Sequence, residues 1–431
     1  MEPTGAQHEV GVDELFFSTT DARGIIEESN SIFTALSRYS AEELHGSPHN
    51  IIRHPMMPGG AFYAMWTTIE NGDPFAAYVH NLAKDGSRYD VLATITPLSN
   101  GGYLSVRTRP MREDLFGAAD AIYTAASAEE EKARSTGANR HEAAVIGATV
   151  IAKSLKDAGY DTYADFMYEV LPAEVLAREA ASSGIPERPD AQGEYADKLR
   201  TAHQIFVELN AWMTPLDQMN ELSESLKNTG EDIKRDLGEA SVPEYIRFYL
   251  EKPEMSRLRE VVQVWEQMQG LVDQYLAQVL EQIADLREDI AFTRFRIALA
   301  RLHGTMLANY LAEVIDNGTE ANTEIRLLRE SIIAGVQEMG KAQSQMQILT
   351  NRTAETLTAA ASMTAITTQM VEVVKQQGET MTDAEREVIP QVIGIIEKSG
   401  NAIDEMNTLA AQCRSLAAQD QERLRELVYQ L

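Results

Sequence analysis

Arg53 and His54 stand side by side in the stretch "NIIRHPMMPGGAFYAMW" (50–66), just ahead of Pro55, Pro58 and the Gly59–Gly60 pair. Both side chains can donate hydrogen bonds to an anion. The aromatic-rich run that follows, with Phe62, Tyr63, Met65 and Trp66, reads as a helix whose first turn has free backbone N–H groups to offer. Together they suit an anionic ligand. The plainer reading is a turn of solvated polar residues leading into a core helix, since short motifs recur by chance.

The elements that must position this stretch are mixed helix and strand. "ELFFSTTD" and "GIIEESN" read as a hairpin turning at Ala22–Gly24. "SNSIFTAL" and "SAEELHG" read as short helices, the second capped by Ser40 with Glu43 three residues on. After Trp66 come three strand candidates, 75–83, 87–98 and 102–110, joined by "KDG" and "SNGG" turns. Along the middle one, Tyr89, Val91, Ala93 and Ile95 share one face, while Asp90, Leu92, Thr94 and Thr96 share the other. This order predicts an antiparallel sheet with helices covering one face.

From about residue 116 the pattern is helical almost to the end. Pro and Gly cluster at "SSGIPERPDAQGEY" (182–195), which reads as a linker, and "SVPEYIRFYLEKPEM" (241–255) holds a short helix between prolines. Then Leu258, Val261, Trp265, Met268, Val272, Tyr275 and Val279 recur in steps of three and four, a heptad seam. A turn at "DNGTEAN" (316–322) leads to a second seam through Ile325, Leu328, Ile332, Val336 and Met339. A third rod is expected from about Thr382 to Leu431, with Pro390 either kinking it or marking its first turns. Three rods of about 50–60 residues would each span roughly 75–90 Å and bury their stripes within one chain or between two. The expected organisation is 13–115 for the α+β domain, 116–182 for a helical connector, 183–195 for the linker and 196–431 for a long-helix bundle or coiled coil.

Totals narrow the partners. A net charge of −28 argues against nucleic acid and against an anionic membrane surface. No apolar run approaches the roughly 20 residues needed to span a bilayer, and the acidic start of the chain is unlike a signal peptide. The one cysteine, Cys413, allows no intramolecular disulfide, which suits the cytoplasm. No His/Cys cluster has metal-ligand spacing, so no metal is expected.

The blocks "STTDARGIIEESN", "EELHGSPHNIIRHPMMPGGAFYAMWTTIENGDPF", "NLAKDGSRYDVLATITP" and "GGYLSVRTRP" together closely resemble the PAS domain of the aerotaxis receptor family, over residues 13 to about 112. The resemblance implies a five-stranded antiparallel PAS sheet and a non-covalent FAD whose redox state reports oxygen or respiratory activity. It implies that Arg53 and His54 belong to the FAD pocket, with Arg53 a fork for the pyrophosphate and the helix start at Pro58–Phe62 adding backbone donors. Asn30 and Asn81 match polar pocket positions, and Trp66 matches an aromatic that either walls the pocket or packs. Two positions depart from the family: Met56 stands where it has Asp, and Phe75 where it has Trp, both linked there to flavin binding.

A light-oxygen-voltage photosensor would need a cysteine beside the flavin, and Cys413 lies near the other terminus. A haem-binding PAS would need an axial ligand; His45, His49, His54 and His80 are read instead as surface or hydrogen-bonded core residues. The helical region has the length of a chemotaxis signalling hairpin without its tip motif, and the family's membrane anchor and linker are not found. His303 in "RLHGTM" lacks the context of a phospho-accepting histidine, and no nucleotide-binding or nucleophile motif is present, so no enzyme is expected. Two readings remain open. One is a homodimeric redox sensor relaying flavin state through helical rods, with a chemotaxis-type kinase or adaptor as output. The other is a scaffold in which a ligand-free PAS domain only dimerises.

Overall fold

The computed structural model describes residues 2–239, 242–318, 322–376, 383–398, 401–415 and 422–431. The start of the third expected rod at Thr382 and residues 319–321 of the expected turn lie outside them.

Strands β1 (Phe16–Thr20) and β2 (Ile26–Ser29) form the expected hairpin. Its turn is set by Asp21, whose carboxylate accepts the N–H groups of Arg23 and Ile25 at 2.8 and 2.9 Å, and by Gly24 at φ +76°. Helix α1 (Ser31–Ser37) starts on Asn30, and α2 (Ala41–Leu44) starts on the Ser40–Glu43 capping box. A short 3₁₀ turn (His49–Ile52) leads into α3 (Gly59–Glu70). Strands β3 (Phe75–Leu82), β4 (Arg88–Pro97) and β5 (Tyr103–Thr108) complete a five-stranded antiparallel sheet in the order β2-β1-β5-β4-β3.

The inner face carries Phe16, Tyr89, Val91 and Ala93 against Phe33, Leu36, Leu44 and Ile52 of the short helices. The other face is buried as well, which the one-sided expectation missed. Helix α4 (Glu113–Ser135) lays Phe116 on Tyr78, and α6 (Tyr163–Ala181) brings Glu174 to the Tyr78 hydroxyl. Phe17 meets Tyr310 of the long helix α10 (Ser256–Asn317) edge-on at 5.3 Å. Asp90, Thr94 and Thr96 look like a wet face, but all three are buried.

Packing divides the chain into two compact units that cut across the expected linear spans. The first comprises 1–211, 291–340 and 420–431, and the second 212–290 and 341–419. In the first, α4 and α5 (Arg140–Asp157) form a helical hairpin. The expected linker has no helix or strand before α7 (Glu194–Ala211), yet it is pinned: Arg188 pairs with Asp316, and His203 Nε2 meets the Pro186 carbonyl at 3.0 Å. The start of α11 (Asn322–Gln376) buries Ile325, Leu328, Ile332, Val336 and Met339, as its seam predicts.

In the second unit, one core gathers Leu226 of α8 (Met213–Glu239), Val272 and Leu276 of α10, Leu357 of α11 and Met406 of α13 (Asn401–Ser415). A second joins Ile246 of α9 (Glu244–Leu250), Trp265 and Val392 of α12 (Asp383–Lys398). The α10 stripe is therefore buried within this chain. Of the expected seam, Leu258, Trp265, Val272 and Val279 are fully buried, with Val262 and Leu276 beside them; the expected Val261 and Tyr275 are flanking neighbours, one residue off the seam, and Met268 is half-buried. Cys413 is buried in the first of these cores. The expected third rod appears as α12, α13 and α14 (Glu422–Gln430). Among the described residues, no helix is long and apolar enough to cross a membrane, and no three His, Cys, Asp or Glu side chains could together hold a metal ion.

Candidate functional site

Between the inner face of the sheet and α3 lies a cavity of about 240 Å³. Strand alternation aims Val79 and Asn81 of β3, Ala93 and Ile95 of β4, and Ser105 and Arg107 of β5 into it. Helix α3 adds Phe62, Met65, Trp66 and Ile69; the 3₁₀ turn adds His49 and Ile52. Thr20, Arg23 and Tyr103 lie where the hairpin meets the rim, and Trp66 meets Tyr103 edge-on at 5.6 Å. Gly24 belongs to the same rim, and a Cβ there would touch the Trp66 ring at 3.3 Å.

Two polar groups stand out against these apolar walls. The Asn81 side-chain amide is buried, and its Nδ2 has no hydrogen-bond partner. An unpaired buried donor costs roughly 1–3 kcal/mol, so a ligand acceptor here would recover energy. The second is Arg107. Its guanidinium lies beside the stacked Phe16 and Phe33 rings, 5.6 and 5.3 Å from their centroids, and donates to Ser18 Oγ at 3.1 Å and to His49 Nε2. These partners are all neutral. Burial pushes the Arg107 pKa down to about 10, which still leaves it charged. Burial, then the neighbouring Arg107, hold His49 well below the usual imidazole range, so it is neutral and accepts through Nε2. A buried cation with neutral partners is stabilised by electron density placed beside it.

The cation singled out by sequence is placed otherwise. Arg53 stacks on Phe62 at 4.2 Å and donates to the Met57 carbonyl at 2.8 Å, at the cavity wall. The N–H groups at the start of α3 are not free for a phosphate. Those of Gly59 and Gly60 each donate, at 2.8 Å, to the buried carboxylate of Glu130 on α4. The chain thus supplies its own anion to this helix start. The fit is close: a Cβ on Gly147 would overlap the Glu130 carboxylate, and one on Gly60 would overlap the backbone of Gly147 and Ala148 in α5.

A curated relative shares this region. The aerotaxis receptor of Escherichia coli (strain K12) is 39% identical over 120 residues, 27% of this chain. The N-terminal region is a PAS domain of the aerotaxis-receptor type. The chain spans about a quarter of that receptor's length, 24%. No protein-family model matches the chain. Among solved structures, the PAS domain of a protein from Colwellia psychrerythraea is 24% identical, covering 22% of this chain and 85% of that one at a TM-score of 0.20. A light-oxygen-voltage domain studied with a flavin analogue is 22% identical, covering 28% and 89% at 0.22. The blue-light activated histidine kinase EL346 of Erythrobacter litoralis is 14% identical, covering 39% and 57% at 0.22.

Of the seven residues expected in the PAS pocket, Arg53, Trp66 and Asn81 line the cavity. Four lie elsewhere. Asn30 is spent on the fold: its Oδ1 accepts the N–H groups of Phe17 and Phe33, and its Nδ2 donates to the Leu15 carbonyl. His54 is buried beside His80, its Nδ1 accepting the Met56 N–H at 3.2 Å. Met56 is 46% exposed, its sulfur 4.0 Å from Arg88. Phe75 opens the edge strand β3 and stacks on Tyr163 of α6 at 4.8 Å. Neither departure from the family pattern therefore fills the interior. Arg107 and His49 were not singled out as pocket residues. Arg107 was legible: opposite Ala93, on the face of Tyr89 and Val91, it must point inward.

Proposed function

We propose that the chain is a non-enzymatic redox sensor whose PAS cavity holds the isoalloxazine ring of FAD. The observation that carries this reading is the pairing of an unpartnered buried Asn81 amide with a buried Arg107 cation in one apolar slot. The residues fit the group. A cavity of about 240 Å³ suits a tricyclic ring rather than a whole dinucleotide, so the remainder would emerge at the rim beside Arg23. Ile52, Phe62, Trp66 and Ile95 supply the walls, Asn81 Nδ2–H a donor for a ring carbonyl, and Arg107 a fixed positive charge. Flavin, when bound, supplies a reversible electron carrier whose reduction adds negative charge to the ring. Arg107 favours that charge, and its hydrogen bonds to His49 and Ser18 respond to it.

The route outward runs through α3. Its start is bound to Glu130, and Glu130 sits on the α4–α5 hairpin. A shift of α3 therefore loads the helices that follow the sensor. By its likeness to the aerotaxis-receptor family, the chain would work as a homodimer in the cytoplasm, with a chemotaxis-type kinase or adaptor as output. An absorption spectrum of the purified full chain tests the core of the reading. Yellow protein that bleaches with dithionite and releases FAD on denaturation is expected, with flavin lost in Asn81→Leu. A colourless, folded protein that does not take up added FAD would leave only the ligand-free scaffold.

A further inference from the structure

A second cavity, of about 280 Å³, lies on the opposite side of the sheet from the first. It is bounded by the α3–β3 turn and the end of β4 on one side, and by α10 and α11 on the other. Three buried polar atoms that line it lack hydrogen-bond partners: Arg296 Nε, His303 Nε2 and Thr96 Oγ1. Their residues are 8%, 1% and 6% exposed. Arg296 rests on the Phe292 ring at 4.9 Å, and burial lowers its pKa, with Glu338 and then Asp73 opposing. His303 is held down to about 3 by burial and is neutral. Its Nδ1 lies 2.8 Å from Ser331 Oγ. With the hydroxyl donating, the ring presents Nε2–H to the cavity.

The lining is polarised. The interior offers N–H donors and one cation, Arg296, whereas Asp73, which is exposed, and Glu338, which is half-buried, make the remaining boundary acidic. Unpartnered N–H and O–H groups that line one cavity with a guanidinium suit a carboxylate. The acidic side disfavours a second negative group and favours an ammonium. We propose that this cavity binds a small α-amino carboxylate, its carboxylate held by Arg296, His303 and Thr96 and its ammonium turned toward Asp73 and Glu338. Because one wall is the PAS sheet and the other the paired long helices, such a ligand would be a second input to the same helices, independent of the flavin site.

The test is calorimetric titration of the purified full chain with glycine, alanine and serine, and with acetate and propionate as amino-free controls. Saturable binding of an amino acid is expected, at least about tenfold tighter than its amino-free control, with a further loss of about tenfold or more in Arg296→Gln. Gly335→Leu guards against a variant that merely misfolds. Gly335 lines the cavity, and a Cβ there meets open space. That chain should melt no lower than the parent and bind nothing. Three results overturn the proposal: no binding by any of the five probes, binding by the acids as tight as by the amino acids, or binding untouched in Gly335→Leu. A cavity that holds water alone gives the first of these.

Discussion

The two faces of the PAS sheet are built from the same strands and solve the burial problem differently. On the outer face, helices close over the polar groups and pair those around Tyr78 and His80, while Thr96 is left unpaired at the second cavity. The Tyr78 hydroxyl donates to Glu174, which also accepts the N–H groups of Met111 and Arg112 at 2.6 and 3.0 Å. Both His80 nitrogens meet carboxylates, Asp90 at 2.6 Å and Asp120 at 2.8 Å. On the inner face the side chains stop short of one another, leaving a void, an unpaired amide and a cation among neutral partners. Interiors are normally close-packed and satisfied. The outer face obeys that rule around Tyr78 and His80, and the flavin proposal rests on the inner face's departure from it.

The contrast breaks most severely at Glu174. In Glu174→Ala the Tyr78 hydroxyl and two backbone donors lose their acceptor while buried, which should cost about 3 kcal/mol or more, read as a lower urea midpoint. Flavin content should follow stability rather than fall first. Loss of flavin at full stability would mean that the outer face, too, shapes the site.

The inner face should respond in the opposite way. Arg107→Met removes a desolvated cation and keeps apolar bulk beside the stacked Phe16 and Phe33 rings. Fold stability should change by no more than about 1–2 kcal/mol in either direction. The midpoint potential of bound flavin should fall by about 30–60 mV, on the order of 1.4–3 kcal/mol for two electrons. Spectroelectrochemistry reads the shift. An unchanged potential would remove Arg107 from the redox site.

pH separates His49 on the inner face from Asp90 on the outer one. His49 titrates well below the ordinary range when folded, so the unfolded chain takes up its proton first as pH falls. Stability is then full above about 6.5, the unfolded value, and declines below it by up to about 1.4 kcal/mol per pH unit. His54 and His303, also lowered by burial, add the same sign. On the outer face Asp90 is lowered despite its burial, because His80 and Arg88 outweigh it. Its contribution is present above the unfolded carboxylate value and is lost only in stronger acid. Urea midpoints between pH 8 and 5 should therefore slope less in His49→Gln, and the slope in that window should not depend on Asp90.

Much of this was legible in the residues. The hairpin, the Ser40–Glu43 cap, the three long strands and the seams of α10 and α11 follow from turn chemistry and from periods of two and 3.5. What escaped depends on partners far along the chain. Asp90, Leu92, Thr94 and Thr96 look like a solvent face until α4, α6 and α10 are laid on them. Gly59 and Gly60 look like free donors until Glu130, some 70 residues on, takes both. Asn30 and His54 carry the family's motif, yet their hydrogen bonds are consumed locally. Val262 and Leu276 displaced Val261 and Tyr275 because adjacent apolar residues leave a heptad's register open by one.

The smallest expected effect sharpens the contrast most cheaply. Met56 departs from the family's Asp at a position linked there to flavin, but here the side chain is 46% exposed and outside the cavity lining. Its sulfur lies beside Arg88, which already serves Asp90. Met56→Asp places a carboxylate near that guanidinium in solvent, where an ion pair is worth at most about 1 kcal/mol. Stability should shift by no more than about 0.5 kcal/mol, and flavin content should stay the same. If flavin retention instead rose severalfold, the bound dinucleotide would have to reach past α3 to residue 56. The ligand site would then extend beyond the inner face, and its confinement to the slot between the sheet and α3 would fail.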